Sequence, residues 1–317
     1  MNIKAIDIFN TGKRIKHYVI KTPVKFSMQL QTDHRLNVFY KLENLQASGS
    51  FKARGGFNKI LKTFKENPKA IFVAPTAGGH GVGLSYAANK LDAKVHILMP
   101  KMADNDRVRD INNNGASIQF FDTMEEARMQ AKQIEQQKGY IYVSAYNDTE
   151  MIEGGGTIAT ELLSQLPEMD CLVCGVGGGG YLAGMAMLLK TINPEITIIG
   201  VQQDATPCIY NWFKKGKYER LPDLPSIAEG IGGMVEEDCI TLPYLKKHVD
   251  DFLLVTDNQI QETFHWSFLF EKMYVEPSGI VGLTAIRVYP DFFKQFKNIV
   301  TVISGANISY KWLSNLQ

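Results

Sequence analysis

Cys171-Leu-Val-Cys-Gly-Val-Gly-Gly-Gly-Gly-Tyr-Leu-Ala-Gly184 runs from an apolar strand through a glycine turn into the start of a helix. Four consecutive glycines, Gly177 to Gly180, leave the backbone amides unobstructed at a helix N-terminus, where free donors and the helix dipole favour a phosphate. The same alternation continues along the chain. Apolar runs at Ala70-Ile-Phe-Val-Ala74, Val95-His-Ile-Leu-Met99, Ile141-Tyr-Val143, Asp170-Cys-Leu-Val-Cys174, Ile196-Thr-Ile-Ile199 and Ile299-Val-Thr-Val-Ile303 read as strands. Most are followed by a glycine or proline break, and residues 57–64, 81–91, 124–137, 157–166 and 181–190 carry helical spacing. The fold class is therefore α/β, with mostly parallel sheet flanked by helices. In open α/β sheets ligands bind beyond the carboxyl ends of the strands. The glycine turn, Thr76-Ala-Gly-Gly79 and Ser304 all fall there.

The glycine stretch also matches a dinucleotide fingerprint, as Gly175-x-Gly177-x-x-Gly180. That reading needs an acidic residue about 20 positions on to hold a ribose. The next strand-like run ends at Val201 and is followed by Gln202-Gln203-Asp204, so only a late Asp204 is available. A dinucleotide, a structural glycine turn and a phosphate cup remain the three readings of this stretch alone.

A second feature separates them. In Glu43-Asn-Leu-Gln-Ala-Ser-Gly-Ser-Phe-Lys-Ala-Arg-Gly55, Lys52 sits among Gly, Ser and Phe. A desolvated lysine loses its proton more readily and becomes a nucleophile toward carbonyls. An imine-forming lysine and a phosphate cup together describe a cofactor with an aldehyde and one phosphate, which is pyridoxal phosphate. Further blocks follow: Thr76-Ala-Gly-Gly-His-Gly81, Glu153-Gly-Gly-Gly-Thr-Ile-Ala-Thr-Glu161, Glu276-Pro-Ser-Gly279 and Ser304-Gly-Ala-Asn307. In this order the blocks resemble the fold-type II pyridoxal-phosphate enzymes, in the branch of serine and threonine dehydratases and serine racemase. The resemblance covers nearly all 317 residues.

That resemblance implies two open twisted sheets, tryptophan synthase β-like. It divides the chain into a large cofactor-binding domain, residues 1–70 and 148–317, and a small domain, residues 71–147, able to close over substrate. It implies that Lys52 holds the cofactor as an imine with Phe51 against the ring, and that the freed Lys52 amine then removes the α-proton. Gly177, Gly178, Gly179 and Gly180 bind the phosphate through their amides, and Ser304 faces the pyridine nitrogen. Thr76, Ala77 and Gly78 bind the substrate carboxylate; His80 stands beside them, structural or catalytic. Glu276 orders the turn after it, and Arg54 and Glu43 belong to the scaffold.

Departures from the family pattern are informative. Gly79 stands where an asparagine usually bonds the cofactor's phenolic oxygen, and Gly155 where a larger polar residue is usual, so both are expected either to enlarge the site or to mark lost function. Serine racemase uses a serine as acid/base at the position of Ala77, which carries no proton. Its metal carboxylates align with Gln202 and Cys208, too little anionic oxygen for a hard divalent ion.

The bulk composition fits an enzyme of small molecules. With Lys+Arg 34 against Asp+Glu 33, the net charge of +1 offers nothing to nucleic acid or an anionic membrane. No apolar run approaches the roughly 18 residues of a membrane span, and Met1-Asn-Ile-Lys-Ala-Ile-Asp-Ile8 lacks the form of a secretory signal, so a cytoplasmic location is expected. Cys171 and Cys174 form a C-x-x-C pair inside an apolar strand, which reads as core thiols. The sequence therefore predicts an ammonia-lyase that converts a β-hydroxy amino acid of the threonine or serine type to a 2-keto acid and ammonia. Two alternatives are a β-replacement synthase and a non-catalytic cofactor-binding protein. A homodimer is expected from the family, and Tyr210-Asn-Trp-Phe213 is read as ordinary packing.

Overall fold

The computed structural model describes residues 3–309 of the chain. Met1 and Asn2, which open the segment read for a signal, and residues 310–317 of the expected large domain lie outside the described residues. The described residues form ten strands: β1 (Val24–Phe26), β2 (Val38–Leu42), β3 (Ile71–Pro75), β4 (Lys94–Pro100), β5 (Ser117–Phe121), β6 (Tyr140–Tyr142), β7 (Cys171–Gly175), β8 (Thr197–Gln203), β9 (Asp251–Val255) and β10 (Ile299–Ile303). They make a six-stranded sheet in the order β1-β2-β10-β7-β8-β9 and a four-stranded sheet in the order β5-β4-β3-β6. Among the described strands only β1 is antiparallel to its neighbour.

The six strands read from the sequence are present, each within a few residues of its expected bounds. Of the other four, β1, β2 and β5 are interrupted by polar residues, and β9 is the short apolar run Phe252-Leu-Leu-Val255, which is not among the strands read from the sequence. Strand β2 carries Lys41, which is fully buried and satisfied by Glu161 Oε2 at 2.5 Å and the Thr22 carbonyl at 2.6 Å. Strand β5 is an edge with no buried residue at all. Strand β7 is buried along its whole length. Because side chains alternate along a strand, Cys171 enters the core on one face of the sheet and Cys174 the core on the other. The two thiols therefore cannot share a metal, and burial pushes that of Cys174 up to about 12.

Two helices begin earlier than their spacing suggests. The helix Lys52–Glu66 starts at the lysine itself, and the helix Thr149–Gln165 starts on Asp148, whose carboxylate accepts from Glu150 N at 2.9 Å and Met151 N at 3.2 Å. Their glycines hide the periodicity because they serve the crossing between the two helices. A Cβ on Gly154 would lie 2.5 Å from the Cα of Gly55, so the backbones touch there with no side chain between. This contact fixes where Lys52 enters the space between the two sheets. Tyr210, Trp212 and Phe213 pack, partly buried, against the core of the larger sheet.

Candidate active site

One cavity of about 1540 Å³ opens beyond the carboxyl ends of β3, β7 and β10. Its wall includes Phe51, Lys52, Thr76, Ala77, Gly78, Gly79, His80, Gly177, Gly178, Gly179, Gly180 and Ser304, every site residue expected from the sequence. Topology brings them together: β10 pairs with β2 up to Ile303 opposite Leu42, so Ser304 emerges next to the turn that leads to Lys52. Phe51 N donates to the Ser304 carbonyl at 3.2 Å, and Ser50 bridges Gly305, which clamps the lysine turn to the end of β10.

The Lys52 amine lies 4.8 Å from the centroid of the Phe51 ring, which in turn packs on Tyr181 with ring centroids 4.5 Å apart. No ion pair within 4 Å holds the amine among the described residues. Crowding by protein atoms pushes its pKa down, opposed by the Glu276 carboxylate and reinforced by the Arg107 cation. A neutral amine is the form that attacks a carbonyl or takes a proton. Arg54 contributes structure: both edges of its guanidinium are held, by Glu43 Oε1 and Oε2 at 2.8 Å and by Glu161 Oε1 at 2.7 Å.

The glycine turn has the form of an anion cup. Gly179 is left-handed at φ 81°, the helix Gly180–Ile192 begins there, and no hydrogen bond among the described residues uses the amides of Gly177, Gly178 or Gly179. A Cβ on Gly178 would fall 2.0 Å from Cγ of Tyr146, so the tyrosine ring lies directly on that glycine. Free amides at a helix start and an unpaired lysine in the same cavity fit a phosphate-bearing aldehyde.

On the opposite wall Thr76 Oγ1 accepts from Gly78 N at 3.0 Å, shaping the loop into the helix Gly79–Lys90. His80 is buried, with Nε2 3.2 Å from the Val143 carbonyl and Nδ1 without a partner among the described residues. Burial pushes its pKa down to about 4, so the ring is neutral with the proton on Nε2.

The two unusual glycines differ. A Cβ on Gly79 would meet only Lys52, at 3.5 Å from Nζ, an ordinary contact, so its missing side chain leaves room beside the amine. A Cβ on Gly155 would lie 2.8 Å from the Cα of Tyr181, so backbone fills that side. The expectation that Gly155 enlarges the site by its missing side chain is therefore corrected: it lets the two helices close on each other. Gln202 and Cys208 are engaged locally, with Gln202 Oε1 accepting from Tyr210 N at 2.7 Å and Cys208 donating to the Gly233 carbonyl at 3.7 Å.

Sequence reasoning missed Tyr146, whose hydroxyl donates to Glu236, and Arg107, which reaches Glu229 at 3.1 Å. Neither lies in a motif, and the folding of distant segments around one cavity is what brings them in. Sequence and fold comparisons place the whole chain. A family model described as pyridoxal-phosphate dependent enzyme matches residues 15–305. L-threonine ammonia-lyase of Thermotoga maritima is 32% identical over 98% of this chain and 77% of its own length. Serine racemase of Arabidopsis thaliana is 33% identical over 96% of this chain and 92% of its own. The structure of maize serine racemase superimposes with a TM-score of 0.92 at 28% identity, covering 99% of this chain and 97% of that one. With a family model matching residues 15–305 and relatives about a third identical over nearly the whole chain, this protein belongs to the pyridoxal-phosphate dependent enzymes.

Proposed function

We propose that the chain is an ammonia-lyase that eliminates water from a 3-hydroxy amino acid of the threonine or serine type, releasing a 2-keto acid and ammonia. Bound pyridoxal phosphate supplies the electron sink for the α-carbon. With the cofactor bound, the Lys52 amine would take the α-proton, the amides of Gly177 to Gly180 would hold the phosphate, and Ser304 would serve the pyridine nitrogen. Thr76, Ala77 and Gly78 carry the substrate carboxylate. The observation that supports elimination over racemisation is the meeting, in one cavity, of an unpaired Lys52 with a loop whose position 77 is alanine. A methyl group has no proton to return from the opposite face.

Residues 71–147 close over the substrate as the small domain in this reading. The enzyme is a cytoplasmic homodimer, a reading favoured by four cysteines left as free thiols and by an exposed apolar face described below. No described helix is long and apolar enough to cross a membrane. The test is incubation of purified, cofactor-loaded protein with a panel of 3-hydroxy amino acids, measuring 2-keto acid, ammonia and the chirality of recovered substrate. Keto acid and ammonia in equal amounts are expected. Inversion of chirality without keto acid would overturn the reading.

A further inference from the structure

We infer that Arg107 is the charged anchor for the substrate carboxylate, an inference that rests on the amino-acid reading above. The loop of Thr76, Ala77 and Gly78 brings no charge of its own, and the Gly78 amide is already taken by Thr76 Oγ1 at 3.0 Å. Arg107, on the helix Asn105–Asn113, supplies what the loop lacks. A Cβ on Gly78 would fall 2.2 Å from Arg107 Cδ and 2.9 Å from its Nε and Nη1. The guanidinium thus occupies the place where a side chain at position 78 would be.

Its bonding is incomplete on one edge. Nη1 donates to Glu229 Oε2 at 3.1 Å, while Nη2 stands 3.8 Å from Glu276 Oε2, too far for a good hydrogen bond. Nε is buried and has no partner among the described residues. A guanidinium receives a carboxylate through two parallel bonds from one edge, and a buried donor left unmade is costly. The Nε and Nη2 edge is therefore set for two oxygens, while Glu229 holds the far end in place. Lys52 fits the same geometry: Gly78 faces Arg107, and the next residue, Gly79, faces the Lys52 amine. The Arg107 cation is close enough to act on the Lys52 amine, so an amino acid whose carboxylate sits on Arg107 has its α-carbon on the side of the base.

The test uses the cofactor-loaded protein and two ligands without a leaving group: L-2-aminobutyrate, and 2-aminobutan-1-ol, which lacks the carboxylate. Calorimetric affinities are measured for both, with the visible absorbance of bound cofactor as a check that the site is formed. Arg107→Gln should weaken the acid about ten- to hundredfold, as for charge-assisted bonds, and leave the alcohol unchanged. Arg107→Lys keeps the charge and the stem over Gly78 but loses the fork, so it should fold readily and lose several-fold of the preference. An undiminished preference for the acid in either variant overturns the anchor alone. Wild-type protein that binds neither ligand overturns the amino-acid reading and the anchor with it.

Discussion

At the scale of single residues, Lys52 carries the chemistry and its neighbours set its state. Lys52→Ala should abolish both the visible absorbance of bound cofactor and turnover; retention of either would assign the imine to another lysine. Position 79 is more permissive. Because the atoms nearest a Cβ there are the flexible end of Lys52, at 3.5 Å or more, Gly79→Asn should fold with a melting temperature close to wild type and shift the cofactor absorbance. An unchanged spectrum would mean that the new amide does not reach the cofactor. His80 gives a pH signature. Its pKa falls from 6.5 unfolded to about 4 folded, so between those values the unfolded chain binds a proton that the native state refuses. Stability must then fall as pH drops through that window, by about 3 kcal/mol when the ring is fully charged. Urea titrations from pH 4 to 7 should show this slope reduced by one proton in His80→Gln, and equal slopes would mean that the ring is not held neutral.

At the scale of elements, glycines decide which helices can touch. A Cβ on Gly154 would lie 2.5 Å from the backbone of Gly55, a clash, and backbone cannot move aside as a side-chain tip can. Gly154→Ala should therefore cost about 1–3 kcal/mol, read as a lowered melting temperature, although alanine is the better helix former. A gain in stability would show that the crossing is loose. The same glycines limited what could be read from the chain. Residues 157–166 announced a helix by their spacing, but Glu153-Gly-Gly-Gly156 carried no helical spacing because its contact face is backbone. Strand β2 was hidden by Lys41, a cation whose partners Glu161 and Thr22 lie far away in the sequence. The strands with continuous apolar runs, and the cup between β7 and its helix, were legible because strand, turn and phosphate-binding signals are local. Tyr146 and Arg107 were not, since their meaning depends on Gly178 and Gly78, which they cover.

At the scale of the whole molecule, one face is apolar and exposed. Met28, Leu45, Leu269, Phe270 and Tyr274 are all at least half exposed, at 68, 50, 56, 54 and 52%. Polar contacts hold the segments that carry them together: Lys25 and Ser27 both donate to Glu271, and Asn44 Nδ2 donates to the Tyr274 carbonyl at 3.0 Å. These polar contacts hold together a ridge whose outward side chains are mostly apolar, with the exposed Lys272 among them, a pattern that marks an interaction surface more than a solvated one. A second copy is the simplest occupant, because a two-fold interface presents the same patch from each side. Sedimentation should then give twice the 35.5 kDa of one chain, and Leu269→Lys with Phe270→Lys should return it to one. Two lysines added on each copy face each other across a two-fold axis, so the repulsion is counted from both sides and weakens with salt. A double variant that stays dimeric would move the interface elsewhere, whereas a wild-type monomer would leave the ridge without this partner.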